Sequence, residues 1–575
     1  MVNIAQGAAY TELRIWLPSP AQQVTPKAHE RQLHTGETKH EQGGIVQIFR
    51  TKSVEQTIAE TNETGHSLKR SLGWWDLAVM GVAVAVGAGI FSVGAQAAAF
   101  HAGPAVIISF IIAGVVCGAA VMCYAEFASI MPVAGSAYTF TYATIGEIMA
   151  WIIGWDLILE MLMAGSVISK YWGVYLNDFM RLMGLNWNMN LTFGSFHLDL
   201  APIIIVGFFT VLLVFGTKIG ARVDGAMTIL KIAIVVFVVV VGFFYVKAAN
   251  YTPFVPPSEP ASHVQHGELG GSMAQPLWQW MTHMKPTIYG WSGVLSGAAL
   301  VFFAFIGFDV VATASEETKN PKRNVPLGIG VGMLLVIVMY VLVAVVTTGM
   351  VSYKQLASVD SPSLATAFEL VGADWAAKII SFAIVLGLAT VVMVLLLGLT
   401  RVVFAMSRDG LLPRAISRTG KHGTPATLQI IVGVVVALVA ACFNIDVLSD
   451  MVNIGTLSAF TLVALAIPVM RKKRPDLPRT FRIPGNPWVP ILVALANFWL
   501  MLNLTVLTWI RFLVWLVVGF VIYFTYSYGH ARLGTGELDA ELERFDKEQR
   551  IEQVELTAKQ TAEAQAKAAR ARRGK

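Results

Sequence analysis

The chain has 575 residues, of which 55% are hydrophobic and only 14% charged, with a mean hydropathy of +0.62. That balance lies outside soluble globular composition and inside that of polytopic membrane proteins. A net charge of +6 does not mark a nucleic-acid binder, because the basic residues cluster in short loops and at the C-terminus, where the positive-inside rule accounts for them.

Residues 1–73 are polar and mixed in charge, lack an apolar signal-peptide core, and read as a cytoplasmic tail. Within it, Ser67 to Trp75 reads either as a surface helix, with Leu68, Leu72, Trp74 and Trp75 in the interface and Lys69 and Arg70 on phosphates, or as a plain linker. Apolar segments near 74–99, 104–130, 147–180, 201–216, 224–247, 290–315, 326–350, 375–405, 426–443, 447–470, 488–507 and 510–528 follow, each close to the length a membrane helix needs. They predict an all-α polytopic membrane protein with 12 transmembrane helices across 74–529.

Lys218, Arg222, Lys319, Lys322, Arg323, Arg408, Arg414, Lys421 and the run Arg471 to Arg474 fall in one alternate set of loops. This set faces the cytoplasm, and with it both termini of a multi-pass protein of the cell membrane. The longest outside loop, about 248–289, carries His263, His266 and His283 at irregular spacing, which favours solvated residues over a metal site. Cys117, Cys123 and Cys442 show no metal or disulfide pattern and read as packing residues. Residues 530–575 form a charged, helix-prone tail ending in a basic run suited to anionic lipid or simply to solvent.

The first span is interrupted by Val86-Gly87-Ala88-Gly89-Ile90, and the sixth by a run of small residues ending in Phe303-Ala304-Phe305-Ile306-Gly307. Two interrupted spans in corresponding, oppositely entered halves point to an inverted-repeat secondary transporter with its site at mid-membrane. Amides freed at Gly87, Ala88 and Gly89 would meet a carboxylate, and carbonyls freed near Ala85, Val86, Phe303 and Ile306 an ammonium. A zwitterionic amino acid satisfies both sets, whereas a sugar or simple anion leaves one unpaired.

Ionisable residues within spans are functional candidates. Lys231 lies seven residues past Asp224, roughly 10 Å into the membrane at ~1.5 Å per residue. It reads either as a lysine snorkelling to headgroups or as an ammonium beside the first break that exchanges a proton during the cycle. Asp156 and Glu160 are four residues apart and share a helix face. The deeper Glu160 is placed to meet a cationic side chain or a structural hydroxyl, or else is a carboxylate tied into interhelical hydrogen bonds. Asp309 and Glu126 read as structural acceptors. The sequence holds no P-loop, no metal-spaced His/Glu pair in a span and no catalytic triad pattern, so an enzyme or ATP-driven pump is not expected.

Val86 to Phe91, Pro132-Val133-Ala134-Gly135-Ser136-Ala137-Tyr138, Gly154-Trp155-Asp156-Leu157-Ile158-Leu159-Glu160, Phe302 to Asp309, Arg401 to Pro413 and Gly423-Thr424-Pro425 together resemble the amino acid/polyamine/organocation superfamily, specifically its cationic amino acid transporter family. The resemblance covers about residues 50–530 and leaves the N-terminal tail outside it. It implies five plus five inverted helices with two more at the C-terminus, and no cofactor. It also implies that Gly87, Ala88 and Gly89 hold the substrate carboxylate, that carbonyls of Ala85, Phe303 and Ile306 hold the amino group, and that Lys231 matches the lysine of proton-coupled relatives. Relatives with a third-span glutamate include carriers of neutral amino acids, and the apolar side chains around the break suit such substrates equally.

The expectation is a proton-coupled importer of cationic or small neutral amino acids. Its alternatives are a cationic amino acid exchanger and a sensor that binds without transport. Its partners would be the amino acid, protons and membrane lipid; a small membrane-protein partner is left open.

Overall fold

The computed structural model describes residues 50–51, 72–130, 136–185, 190–193, 196–215, 218–260, 272–285, 287–308, 311, 318–359, 362–418, 424–475, 477, 479 and 481–535. The amphipathic piece before Leu72, the basic C-terminal run, His263, His266 and Asp309 lie outside them.

The apolar helices are α1 (Trp74–Ala85), α2 (Val106–Ile130), α3 (Glu147–Leu182), α4 (Leu200–Phe215), α5 (Lys218–Phe243), α6 (Gly290–Val301), α7 (Pro321–Met350), α8 (Asp374–Arg408), α9 (Ala426–Cys442), α10 (Ile445–Lys473), α11 (Trp488–Leu502) and α12 (Val506–Ile522). Among the described residues six helical stretches are long and apolar enough to cross a membrane, and six more apolar helices run 10–17 residues. The family of short helices includes α1 and α6, because each stops at a break inside its apolar segment rather than at the segment's end.

Local chemistry sets the boundaries. Gly103, at φ +59°, turns the chain between the first apolar segment and α2, and Pro104 follows where a missing N–H costs nothing. Gly184, at φ +77°, ends α3, and Pro321 starts α7. Two short antiparallel pairings, absent from the sequence reading, lie outside the helices: the hairpin Asn190–Phe193 with Phe196–Asp199, and Glu259–Pro260 with Thr287–Ile288. The second belongs to the long loop after α5. That loop is pinned to the bundle by Tyr289, whose hydroxyl donates to the Ala99 carbonyl at 2.6 Å and is pushed up to about 12 by burial. His283, in the same loop, is exposed, and the described residues hold no cluster of three metal-ligating side chains.

In the core α3 runs along α8 and α10, while α7 packs on α1 and α2. One end of the bundle is laced by polar contacts. Arg471 of α10 makes a bidentate pair with the fully buried Glu126 of α2 at 2.8 and 2.6 Å, and the Ile483 amide donates to the same carboxylate at 2.9 Å. Glu147 of α3 accepts from Tyr142 at 3.1 Å and Tyr523 at 3.0 Å and pairs with Arg50 at 3.4 Å. Cys117 and Cys123 are buried, but Cys442, the last residue of α9, is exposed, so it is not a packing residue.

Candidate functional site

The first apolar segment loses helical geometry where its glycines fall. After Ala85 the backbone departs at Val86 (φ −72°, ψ 87°), and the chain resumes as a π-helix over Gly89–Val93. π-Helical turns recur at functional sites because they displace backbone groups from the regular ladder. The sixth segment fails in a different way. α6 tightens into a 3-10 turn over Phe302–Phe305, extends at Ile306 (ψ 144°), and reverses at Gly307 (φ +100°).

The two breaks lie against each other. A Cβ on Gly89 would collide with the Ala304 backbone, and one on Gly307 would collide with the Val84 side chain, so only glycine permits this approach. Between them is a cavity of about 20 Å³ lined by Val84, Ala85, Gly87, Ala88, Gly89, Phe303 and Ile306, with Ala164 and Ile168 of α3 and Val391 and Leu395 of α8. On the same measure one water needs about 10–15 Å³, so this conformation is closed around the site and an amino acid enters only when helices move apart.

Side chains from other helices take up the carbonyls that the first break releases. The last four carbonyls of a helix have no intrahelical partner. Here Val82 O accepts the Val86 amide at 2.9 Å. Lys231 of α5 donates its ammonium to Ala83 O at 3.0 Å, and Tyr340 of α7 reaches Ala85 O at 2.5 Å. The Tyr340 hydroxyl also lies 2.7 Å from Ala304 O, so one fully buried group spans both breaks. A hydroxyl carries a single proton, and Tyr340 donates to one of these carbonyls at a time. Across the breaks, the amides of Gly87, Ala88 and Gly89 open the π-helical half, at the end where N–H groups have no intrahelical partner.

The predicted residues occupy different positions around this centre. Ala85, Gly87, Ala88, Gly89, Phe303 and Ile306 line the cavity directly. Val86 forms the turn itself, while Ile90 lines a second cavity of about 10 Å³ with Phe110 and Thr347. Ala304 and Gly307 supply the close contacts to the first break. Phe305 points away from the cavity into an aromatic cluster with Tyr340 (5.1 Å between centroids) and Phe110 (6.4 Å).

Lys231 is 1% exposed, with its stem over Gly387 of α8 and its ammonium inside the bundle. Glu160 is fully buried and is not among the lining residues, but Ala164 and Ile168 are, one and two turns along the same helix stripe. It stands one turn beyond the cavity wall.

Sequence reasoning missed Tyr340. It sits in an otherwise apolar run, Val338-Met339-Tyr340-Val341, where a single aromatic reads as packing. The only available signal was that a phenol in a membrane core needs an acceptor, and the freed carbonyls of the breaks are acceptors.

The sequence pattern of the amino acid permease family matches residues 72–531. The chain is 44% identical over 494 residues to a branched-chain amino acid permease of Bacillus subtilis, across 84% of this chain and 99% of that protein. It is 38% identical over 494 residues to the methylthioribose transporter of the same organism, with the same coverage of both chains. A vacuolar cationic amino acid transporter of Arabidopsis thaliana is 34% identical over 440 residues, across 75% of this chain and 68% of that one.

Proposed function

The chain belongs to the amino acid permease family and is an amino acid transporter, and on that premise we propose that it imports amino acids with small or branched apolar side chains by alternating access. In this reading the bundle has twelve spans, as two inverted sets of five helices followed by α11 and α12, and lies in the cell membrane with both termini in the cytoplasm. The substrate carboxylate takes the amides of Gly87, Ala88 and Gly89. Its amino group takes the carbonyls of Ala85, Phe303 and Ile306, displacing the Tyr340 hydroxyl from Ala85 O.

The observation that carries the reading is the lining of the cavity between the breaks: the side chains of Val84, Ala164, Ile168, Phe303, Val391 and Leu395 are all apolar. A charged side chain would have no partner among them, and burying it so is costly. The name of the Bacillus subtilis branched-chain permease agrees in chemistry. Glu160 favours a second reading, in which a long cationic side chain reaches one turn past Ala164 to its carboxylate. Uptake of labelled leucine into proteoliposomes tests both: excess isoleucine and valine should compete strongly and arginine weakly. Competition by arginine with none by valine would establish the second reading in place of the first.

Proton coupling is assigned to Lys231. As an ammonium it donates to Ala83 O and holds α1 to α5 and α8. Loss of the proton weakens that link from a charged to a neutral donor, which loosens α1 and favours the open state. An inward proton gradient should therefore drive accumulation, and a gradient without effect on wild-type uptake would overturn this part alone.

A further inference from the structure

We propose that Asp156, on the seam between α3 and α10, is a second proton-binding site of the transporter and carries a proton while the seam is closed. The proposal is independent of the role assigned to Lys231.

Asp156 is fully buried. The two helices come close here because Gly455 of α10 faces α3: a Cβ on Gly455 would lie 3.6 Å from the Asp156 carbonyl oxygen and 3.7 Å from the Glu160 nitrogen. Among the described residues the carboxyl group has one polar partner. The Ser458 hydroxyl donates to Oδ2 at 2.7 Å, and Oδ1 has no hydrogen-bond partner among the described residues.

An ionised carboxylate in that setting would leave half its charge on an oxygen without a donor, in the apolar interior of a membrane protein. Glu126 shows how this chain pairs a buried carboxyl group elsewhere: with a bidentate arginine and a backbone amide. Asp156 has neither. A proton on Oδ1 removes the charge and leaves Oδ2 free to accept from Ser458.

The charged and titratable groups on neighbouring elements are otherwise engaged or lie elsewhere along the seam. On α3 itself Glu160 is one turn further. On α10, Asp450 accepts from Thr508 at 2.8 Å and Arg471 is bound to Glu126. Tyr124 of α2 packs its ring on Phe460 at 5.3 Å, and Tyr138 donates to Asp409, beyond the end of α8, at 2.7 Å. From α12 the facing group is Trp515, uncharged, stacked on Trp155 at 4.4 Å. Among the described residues the polar contact of the Asp156 carboxyl group is the one to Ser458.

The proton is linked to movement of the seam. When α3 and α10 part, water reaches Oδ1, the O–H bond breaks, and the proton passes to water to leave a solvated carboxylate. Closing the seam requires the proton to return to Oδ1. Low pH therefore favours the closed seam and high pH the parted one.

Infrared difference spectroscopy of the full chain in lipid vesicles at neutral pH tests this. The carbonyl stretch of a neutral carboxylic acid should be present in wild type and its Asp156 component lost in Asp156→Asn with the amide bands unchanged. Ser458→Ala, which removes the hydrogen bond but not the acid, should shift that component to higher frequency. Lys231→Met should leave it in place whether or not that variant retains its response to a proton gradient, so failure at either site is distinguishable from failure at the other. An acid band unaltered by Asp156→Asn would overturn the proposal. Should that variant fail to fold, an unshifted band in Ser458→Ala would do the same.

Discussion

The two breaks face one cavity but are held by different means. The first contains no residue in the left-handed region: Val86 leaves the helix at negative φ, and the released carbonyls are satisfied by Lys231 and Tyr340 from two other helices. The second is fixed within its own backbone by a 3-10 turn and by Gly307 at φ +100°. A break capped by distant side chains opens when those side chains move or lose a proton, whereas one set by backbone sterics keeps its shape. In the proposed cycle the first break is therefore the switch and the second the rigid wall.

The largest effect tests the contact between them. Gly89→Ala places a methyl group against the Ala304 backbone, which has no flexible end to move aside. Overpacking of this kind costs about 1–3 kcal/mol, and here it also parts the two breaks. Uptake should be abolished with the protein still folded by circular dichroism; uptake within tenfold of wild type would show that the breaks need not touch.

Lys231→Met comes next and separates a switch from a strut. The substitution leaves Ala83 O short of a donor, at about 1–3 kcal/mol, but it also removes a buried charge, which offsets the loss. Thermal stability should change little while the response of uptake to an inward proton gradient disappears. A large drop in Tm with the gradient response intact would make the lysine a structural cap.

The sequence exposed the glycines and not what caps them. Gly87, Gly89 and Gly307 were legible because missing side chains at mid-span have few uses, and Lys231 because a charge there is costly. The order of helices followed from apolar length alone. What stayed hidden depends on rotation and depth. Tyr340 looks like packing until its hydroxyl is placed between Ala85 and Ala304, and Glu160 looks like a lining residue until the stripe of Ala164 and Ile168 puts it a turn away. The hairpin Asn190–Phe193 with Phe196–Asp199 was missed because a short pairing between spans leaves no long period to read.

Tyr340→Phe should act more mildly. It removes one donor shared between two carbonyls while keeping the ring packed, tilted and edge-on, against Phe305 and Phe110. A buried carbonyl left without its partner costs about 1–3 kcal/mol, so Tm should fall by a few degrees. Because the proposed substrate amino group takes the same Ala85 carbonyl, substrate should restore most of that stability, and a thermal shift on adding leucine should be larger in the variant than in wild type. Equal shifts would show that the hydroxyl and the substrate do not compete.

The smallest effect comes from the residue that the sequence ranks equal to Gly89. At Gly87 an added Cβ would sit 3.8 Å from Ile168 and Val391, in ordinary contact, and Gly87 has no positive φ to protect. Gly87→Ala should therefore fold as wild type, with Tm within a degree or two. Its methyl group narrows the cavity on the side lined by α3 and α8, so uptake of the larger branched substrates should weaken by a fewfold while that of alanine is kept. If Gly87→Ala were as damaging as Gly89→Ala, the two glycines would be serving one purpose, access of the substrate to bare backbone, and the contact between the breaks would not be what singles out Gly89.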